Sequence, residues 1–153
     1  MCRLILTLGS KGDYNTIRRL AKKSRIFRPL YRMFEVWHAA YLPLNNTIEG
    51  PLRLPHGPLG CVFARSCKIG TNCTILHHVT IGGYYNAGNQ ELGWGGAPQI
   101  GNNVFIGAGA KLIGKIKIGN NVKIGAGCVV VTDIPDNATV VMHKPRIIIK
   151  EQQ

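Results

Sequence analysis

Large apolar residues recur at every sixth position over most of the chain. The series is interrupted between residues 81 and 100 and consists of Phe63, Ile69, Ile75, Ile81, Ile100, Ile106, Leu112, Ile118, Ile124 and Val130. A second apolar or small residue follows four positions later, as at Cys67, Val79 and Val122. Neither an α-helix nor an antiparallel hairpin suits a period of six. The pattern predicts an all-β protein, a parallel β-helix in which each unit forms one short side of a coil.

Turn-forming residues occupy the positions between the apolar ones. Glycine directly follows the apolar residue in several units, as at Gly70 and Gly101, and asparagine often comes next, as at Asn102 and Asn103. Asparagine tolerates the left-handed backbone conformation that a tight corner requires. The sequence therefore predicts short strands joined by tight turns.

The stretch IGNNVFIGAGAKLIGKIKIGNNVKIGAGCVV, residues 100–130, closely resembles the hexapeptide-repeat acyltransferases. That resemblance implies a left-handed parallel β-helix with triangular coils, one coil for about every 18 residues. We expect a basic, helical N-terminal segment at residues 1–45. The β-helix should follow at 46–140 with an extended loop at 84–99, and a C-terminal tail at 141–153.

Two histidines fall on one line of this map. Three extra residues lie within the stretch 57–63, so His56 and His77, 21 residues apart, should occupy equivalent positions in successive coils. Successive rungs of parallel strands lie about 4.8 Å apart, and the two side chains should leave adjacent rungs in the same direction. Beyond a 13-residue insertion the line continues to Ala108 and then to Ala126. An imidazole can remove a proton near neutral pH, and small residues leave backbone groups free to bind an extended ligand.

The next histidine, His78, is expected to diverge from this line, because adjacent residues of a strand point to opposite sides. We interpret it as a corner or interface residue.

Within the family, the chain looks most like the serine acetyltransferases, including short members associated with polysaccharide O-acetylation. The stretch LRLPHGPLGCVFARSCKIGTNCTILHHVTIGG, residues 52–83, lines up with the family segment that holds the catalytic histidine. The resemblance assigns to His56 the role of general base on an acceptor hydroxyl. It also implies acetyl-CoA as the acetyl donor, bound in a groove between subunits of a homotrimer. The coenzyme-binding positions that it implies are Ala108, Ala126, Val131, Thr132 and Arg146.

Two residues of the family pattern are absent. Tyr41 stands at the position of the acidic partner of the catalytic histidine, and Ala97 at the position of a second active-site histidine. Both replacements weaken L-serine as the acceptor. We therefore expect an O-acetyltransferase that acts on a sugar hydroxyl of a surface polysaccharide or its precursor, with His77 as a second catalytic residue. Serine O-acetylation and an inactive trimeric scaffold are the alternatives.

A zinc enzyme of the γ-carbonic anhydrase type, which shares the fold, is a further alternative. Its metal would need His56, His77 and His78, although the expected ligand spacing is absent. The five cysteines include no C-x-x-C pair. They favour reduced thiols over a disulfide framework or a cysteine-bound metal, and we expect no metal.

The charge is concentrated at the beginning of the chain. Of 19 Lys and Arg residues, nine lie in residues 1–45, and the chain carries a net charge of +12. Between residues 14 and 41, apolar residues recur at helical intervals among the arginines. Such a segment suits the surface of an anionic membrane, or it packs on the main domain or a neighbouring subunit.

No nucleic-acid-binding motif accompanies the charge, so we expect no nucleic-acid partner. With no apolar run of membrane-spanning length, a cytoplasmic location is expected, with contact at the inner face of the membrane.

Overall fold

The computed structural model describes residues 13–83 and 96–143. Two helices come first, α1 (Asp13–Lys23) and α2 (Arg28–Trp37), separated by one turn of 3-10 helix at Arg25–Phe27. Pro29 lies in the first turn of α2, where its missing N–H costs no hydrogen bond. The strands in the described ranges are β1 (Thr47–Ile48), β2 (Val62–Phe63), β3 (Lys68–Ile69), β4 (Thr74–Ile75), β5 (Thr80–Gly82), β6 (Gln99–Ile100), β7 (Phe105–Ile106), β8 (Lys111–Ile113), β9 (Lys117–Ile118), β10 (Lys123–Ile124), β11 (Val129–Val130) and β12 (Thr139–Val140).

The strands form three parallel sheets, and each coil of the chain contributes one strand to each sheet. The strand orders are β1-β3-β6-β9 (sheet 1), β2-β5-β8-β11 (sheet 2) and β4-β7-β10-β12 (sheet 3). This is the left-handed parallel β-helix that the resemblance implied, and the predicted fold is confirmed. Isolated bridges extend the ladders, from Tyr41 to Val62 in sheet 2 and from Ile118 to Ile134 in sheet 1.

The interior of the coils is the predicted apolar series. Each of its ten members, from Phe63 to Val130, is at most 4% exposed. In each two-residue strand one side chain points outward and the next points inward, as with exposed Lys68 and buried Ile69. The second apolar position of the unit, as at Cys73 and Val122, is also buried. The period of six thus stacks like residues above one another in a continuous core.

Asparagines stack along the corner between sheets 1 and 3. Asn72, Asn103, Asn121 and Asn137 all adopt positive φ, between 55° and 61°. Their side-chain amides bond from coil to coil: the Nδ2 of Asn72 donates to Oδ1 of Asn103 at 2.7 Å, and Asn103 donates to Asn121 at 3.1 Å. Each asparagine therefore supplies both the left-handed turn and a link to the next coil.

Replacing Asn103 should separate these two contributions. We expect Asn103→Ala to lower the free energy of unfolding by about 2 kcal/mol, because it loses the ladder bonds and forces an alanine into a left-handed conformation. Asn103→Gly loses the same bonds but tolerates the conformation, and should cost about 1 kcal/mol. Urea denaturation of both variants measures the difference. Equal losses would show that the left-handed backbone contributes nothing here.

The helices pack on the first coil through a buried polar layer. Arg18 donates from Nη2 to the backbone carbonyl of Asn46 at 2.9 Å and to its Oδ1 at 2.8 Å. From α2, Glu35 accepts a bond from the backbone N–H of Leu42 at 2.7 Å, and the Tyr31 hydroxyl donates to the Leu42 carbonyl. Because these groups are buried, losing one partner would leave the other without a hydrogen bond. Within the described ranges no helix is both long and apolar enough to cross a bilayer.

Cys67 lies against this layer, and its thiol makes stability depend on pH. Burial raises the pKa of Cys67 from 9.0 to about 11, against smaller lowering effects of Asn46 and Arg18. The unfolded chain therefore loses this proton at lower pH than the folded chain. The stabilisation is complete below pH 9.0 and is lost as pH rises towards about 11.

We expect the free energy of unfolding to fall by about 2 kcal/mol over this window through Cys67 alone. Urea denaturation at several pH values gives the curve. Cys67→Ala, although less stable at pH 8, should show a shallower fall. A variant curve parallel to that of the unaltered protein would contradict the assignment to Cys67.

Candidate active site at a corner of the helix

One corner of the β-helix, between sheets 3 and 2, carries the chemistry-bearing residues. Equivalent residues of successive coils are linked there by backbone bonds. Gly60 N–H donates to the His38 carbonyl at 2.8 Å, and Gly109 N–H donates to the His77 carbonyl at 3.0 Å. The same pattern places His78 above Leu59 and Gly127 above Ala108. Five residues thus occupy equivalent positions in successive coils. We call them the corner column: His38, Leu59, His77, Ala108 and Ala126.

The position of His56 differs from the prediction. Leu59, not His56, occupies the backbone position directly below His77, because the three extra residues are part of a turn over residues 55–60. His56 lies on this turn with an exposed side chain. Its ring nevertheless meets the ring of His77 edge to face, with 5.2 Å between centroids. The predicted adjacency of the two imidazoles is present, but the insertion moves His56 out of the stacked backbone ladder.

The next residue, His78, occupies a left-handed turn and does not continue a strand. Its φ is +58°, and the equivalent positions in neighbouring coils are Ala39, Gly60, Gly109 and Gly127, all with positive φ. His78 thus lies at a corner, as the sequence predicted, but it does not point away from His77, since their ring centroids lie 5.4 Å apart. A side chain at Gly60 would collide with the His78 ring, since a Cβ there would lie 2.6 Å from its Cε1. Strained residues cluster at functional sites, which makes His78 a candidate contributor.

The half-buried His77 completes a row of three imidazoles. Its Nδ1 is buried and has no hydrogen-bond partner among the described residues. A buried ring nitrogen normally forms a hydrogen bond. The environment of His77 thus differs from that of exposed His56, which can meet a ligand directly.

Sequence reasoning missed His38, which follows the end of α2. Its Nδ1 lies 2.9 Å from the carbonyl oxygen of Phe34. Because a carbonyl only accepts, Nδ1 carries the hydrogen in that bond and leaves Nε2 of the neutral ring as an acceptor. Nε2 would lie 3.4 Å from a Cβ placed at Gly57, the residue after His56. The repeat contains no signal for His38, because its approach to this turn depends on how α2 packs on the first coil.

The predicted coenzyme positions divide into two groups. Ala108 is half-buried and Ala126 is exposed, both in the corner column above His77. Val131 and Thr132 are exposed but lie past β11, which separates them from that column. Arg146 lies outside the described residues. The described structure therefore brings His56, His77, Ala108 and Ala126 together along one corner, and places the Val131–Thr132 pair at the next corner.

Tyr41 and Ala97 stand at the two positions where the sequence departs from the family pattern. The Tyr41 hydroxyl accepts a hydrogen bond from Nε of Arg65 at 3.1 Å. Ala97 is buried just before β6 and offers no polar side chain. Among the described side chains, no group of three or more His, Cys, Asp and Glu is arranged to hold a metal ion.

Comparison with known proteins relates the chain to one family of transferases. A family model described as bacterial transferase hexapeptide (six repeats) matches residues 97–132. A probable serine acetyltransferase 1 of Oryza sativa subsp. japonica is 42% identical over 117 residues, which are 76% of this chain and 36% of the rice protein. Serine acetyltransferase of Staphylococcus aureus (strain N315) is 44% identical over 90 residues, 59% of this chain and 39% of that protein.

The chain belongs to the hexapeptide-repeat acyltransferase family.

Solved structures of this acyltransferase family agree with the sequence relatives. Serine acetyltransferase of Neisseria gonorrhoeae superposes with a TM-score of 0.66 at 35% identity, covering 90% of this chain and 51% of that one. Serine acetyltransferase 1 of Entamoeba histolytica, solved in complex with L-cysteine, superposes with a TM-score of 0.67 at 30% identity, covering 76% of this chain and 44% of that one. The chain spans between a quarter and about two fifths of the length of the curated relatives that it matches.

Proposed function

We propose that this chain is an acetyl-CoA-dependent O-acetyltransferase. The observation that carries the proposal is the exposed imidazole of His56 in edge contact with His77. His77 belongs to the corner column, whose last two members, Ala108 and Ala126, are small. Relatives of the same fold named as serine acetyltransferases support the reaction class.

In the proposed reaction His56 is the general base. Its ring nitrogen removes the proton of the acceptor hydroxyl while the oxygen attacks the carbonyl carbon of the acetyl thioester. The tetrahedral intermediate then collapses, the C–S bond breaks, and His56 returns the proton to the sulfur of coenzyme A. Ala108 and Ala126 leave room beside the backbone for the extended pantetheine arm.

His77 and His38 are proposed as positioning residues. The edge of the His77 ring meets the His56 ring, and His38 lies against the turn that carries His56. Tyr41, which stands where the family has an acid, bonds to Arg65. Orientation of His56 would therefore come from its neighbouring imidazoles and its turn.

L-serine is the acceptor that the comparisons support best. The relatives named above are serine acetyltransferases, and they do not support the sequence-based preference for a polysaccharide sugar. A sugar hydroxyl remains the second candidate because Tyr41 and Ala97 replace the family's acidic partner and second histidine.

We also propose that the active unit is a homotrimer with the corner column facing a neighbouring subunit. Apolar side chains on the two sheets beside the corner are exposed, including Val129 at 63%, Val62 at 41% and Phe105 at 40%. Exposed apolar residues on both sheets that flank a candidate site are typical of a subunit interface.

Calorimetric titration with acetyl-CoA tests the proposal, followed by thiol-release assays with L-serine and with a panel of hexoses. Saturable binding and thiol release that depends on an acceptor would support it, and the faster acceptor identifies the substrate class. A folded protein that binds no acetyl-CoA would instead favour the inactive scaffold.

His38→Ala supplies a separate prediction for a positioning role. We expect kcat to fall about tenfold, since the turn bearing His56 loses its support, while the Kd for acetyl-CoA stays unchanged. His38→Asn, which can donate a bond to Phe34, should recover part of the loss. A rise in Kd with unchanged kcat would contradict the positioning role.

A further inference from the structure

Helix α2 and the turn before it leave an apolar surface uncovered. Val36 is 80% exposed, Ile26 79% and Trp37 76%, and Met33 and Phe27 are also exposed. Met33, Val36 and Trp37 lie three and four residues apart, which places them on one side of α2. The opposite side, with Tyr31 and Glu35, is buried against the first coil. We call these five exposed residues, Ile26, Phe27, Met33, Val36 and Trp37, the helical apolar face.

Arginines border the helical apolar face. Arg25, Arg28 and Arg32 are exposed and spaced three and four residues apart, so they follow one edge of it. Between residues 14 and 45 the single acidic residue is Glu35, which is buried and meets Arg32 at 3.3 Å. The exposed surface around the apolar side chains is therefore positively charged.

A cavity of about 320 Å³ opens beside this border and is lined by three arginines, Arg28, Arg32 and Arg65, and by Glu35, which pairs with Arg32. Within the described residues, Arg28 and Arg65 form no ion pair. Guanidinium groups match the geometry of phosphate oxygens and bind them through paired hydrogen bonds. The cavity is suited to an anionic phosphate group.

We propose that the helical apolar face docks on an anionic lipid bilayer, with a lipid phosphate at the arginine-lined cavity. Helices that lie in a bilayer surface combine a basic border with large apolar and tryptophan side chains, as α2 does. A second copy of the chain is a poorer occupant of this face, because two such faces in contact would bring the exposed Arg25, Arg28 and Arg32 of both copies together, whereas the proposed trimer contacts lie at the corner column. The inference goes beyond acetyl transfer and does not depend on it.

Vesicle binding of the full chain tests the proposal. The vesicles are phosphatidylcholine alone, or phosphatidylcholine mixed with phosphatidylglycerol, and the measurement is co-sedimentation at low and high salt. Blue-shifted emission of Trp37 gives a second measurement in a Trp94→Phe background, since the chain has two tryptophans. We expect binding to the anionic vesicles, weakened by salt, and little binding to the neutral ones.

Two double variants address the two parts of the surface. Arg25→Gln with Arg28→Gln should weaken binding about 20-fold, and Val36→Ser with Trp37→Ser about tenfold or more. Matched controls on exposed positions elsewhere are Lys68→Gln with Lys117→Gln in sheet 1, and Val141→Ser beyond β12. They should bind like the unaltered protein, and circular dichroism confirms that each variant is folded.

Several outcomes would overturn the proposal. They are equal binding to neutral and anionic vesicles, no binding to either, and losses in the controls that match those in the helical variants. If sedimentation equilibrium shows that Val36→Ser with Trp37→Ser dissociates an oligomer while no vesicle binding occurs, the helical apolar face is a subunit interface.

Discussion

His56→Ala is expected to reduce acetyl transfer by about 10²- to 10⁴-fold, the range that a positioned general base contributes. The imidazole is exposed on the turn over residues 55–60, and alanine there removes the ring without opening a cavity in the core. Binding of acetyl-CoA should persist, because the proposed coenzyme positions Ala108 and Ala126 are untouched. The measurement combines thiol-release kinetics with calorimetric titration of the coenzyme.

His143→Ala is the matched control for this result. His143 is exposed near the end of the described chain, after β12, and β12 lies three rungs of sheet 3 above β4, the strand that precedes His77. It should retain full turnover. Unchanged turnover in His56→Ala would refute the role of His56 as the base, whereas loss of coenzyme binding in that variant would point to a structural role of the turn.

Ala126→Phe is expected to raise the Kd for acetyl-CoA by about 100-fold or more. Ala126 is exposed at the top of the corner column, where the pantetheine arm is proposed to lie along the backbone. A phenyl ring there would fill the groove, and since the position is exposed the fold should tolerate it. Titration calorimetry measures the Kd, and thermal denaturation checks that the variant is folded.

Lys117→Phe is the corresponding control, an exposed position of sheet 1 that receives the same new side chain. Its Kd should not change. If Ala126→Phe binds acetyl-CoA as tightly as the unaltered protein does, the corner column is not the coenzyme groove. The pair Val131 and Thr132, at the next corner, would then be the positions to test.

The repeat made most of the fold predictable. A period of six with apolar residues at fixed positions favours stacked coils, because stacking lets each two-residue strand bury one side chain against equivalent residues of the next coil. All ten predicted interior residues are buried. The turn-forming asparagines were predictable for a related reason, since a left-handed corner narrows the choice of residue.

The histidine site was only partly predictable. The neighbouring relation of His56 and His77 followed from the spacing, but the turn conformation of residues 55–60 did not, because an insertion can be accommodated at several points of a corner. Likewise the corner position of His78 was predicted, but the proximity of its ring to that of His77 was not, because its positive φ replaces the strand alternation that would have separated them. The approach of His38 to this turn depends on how α2 packs on the first coil, which no repeat specifies.

By itself, the sequence determined the coil, its interior and the column in which His77, Ala108 and Ala126 stack, because these follow from a period repeated along the chain. Only the tertiary structure decided where the non-repeating parts lie. It moved His56 out of the ladder, brought His38 against its turn, and left Val36 and Trp37 of α2 exposed beside arginines. Local periodicity fixes which residues stack, whereas contacts between distant, non-repeating segments depend on packing that has no counterpart in the pattern.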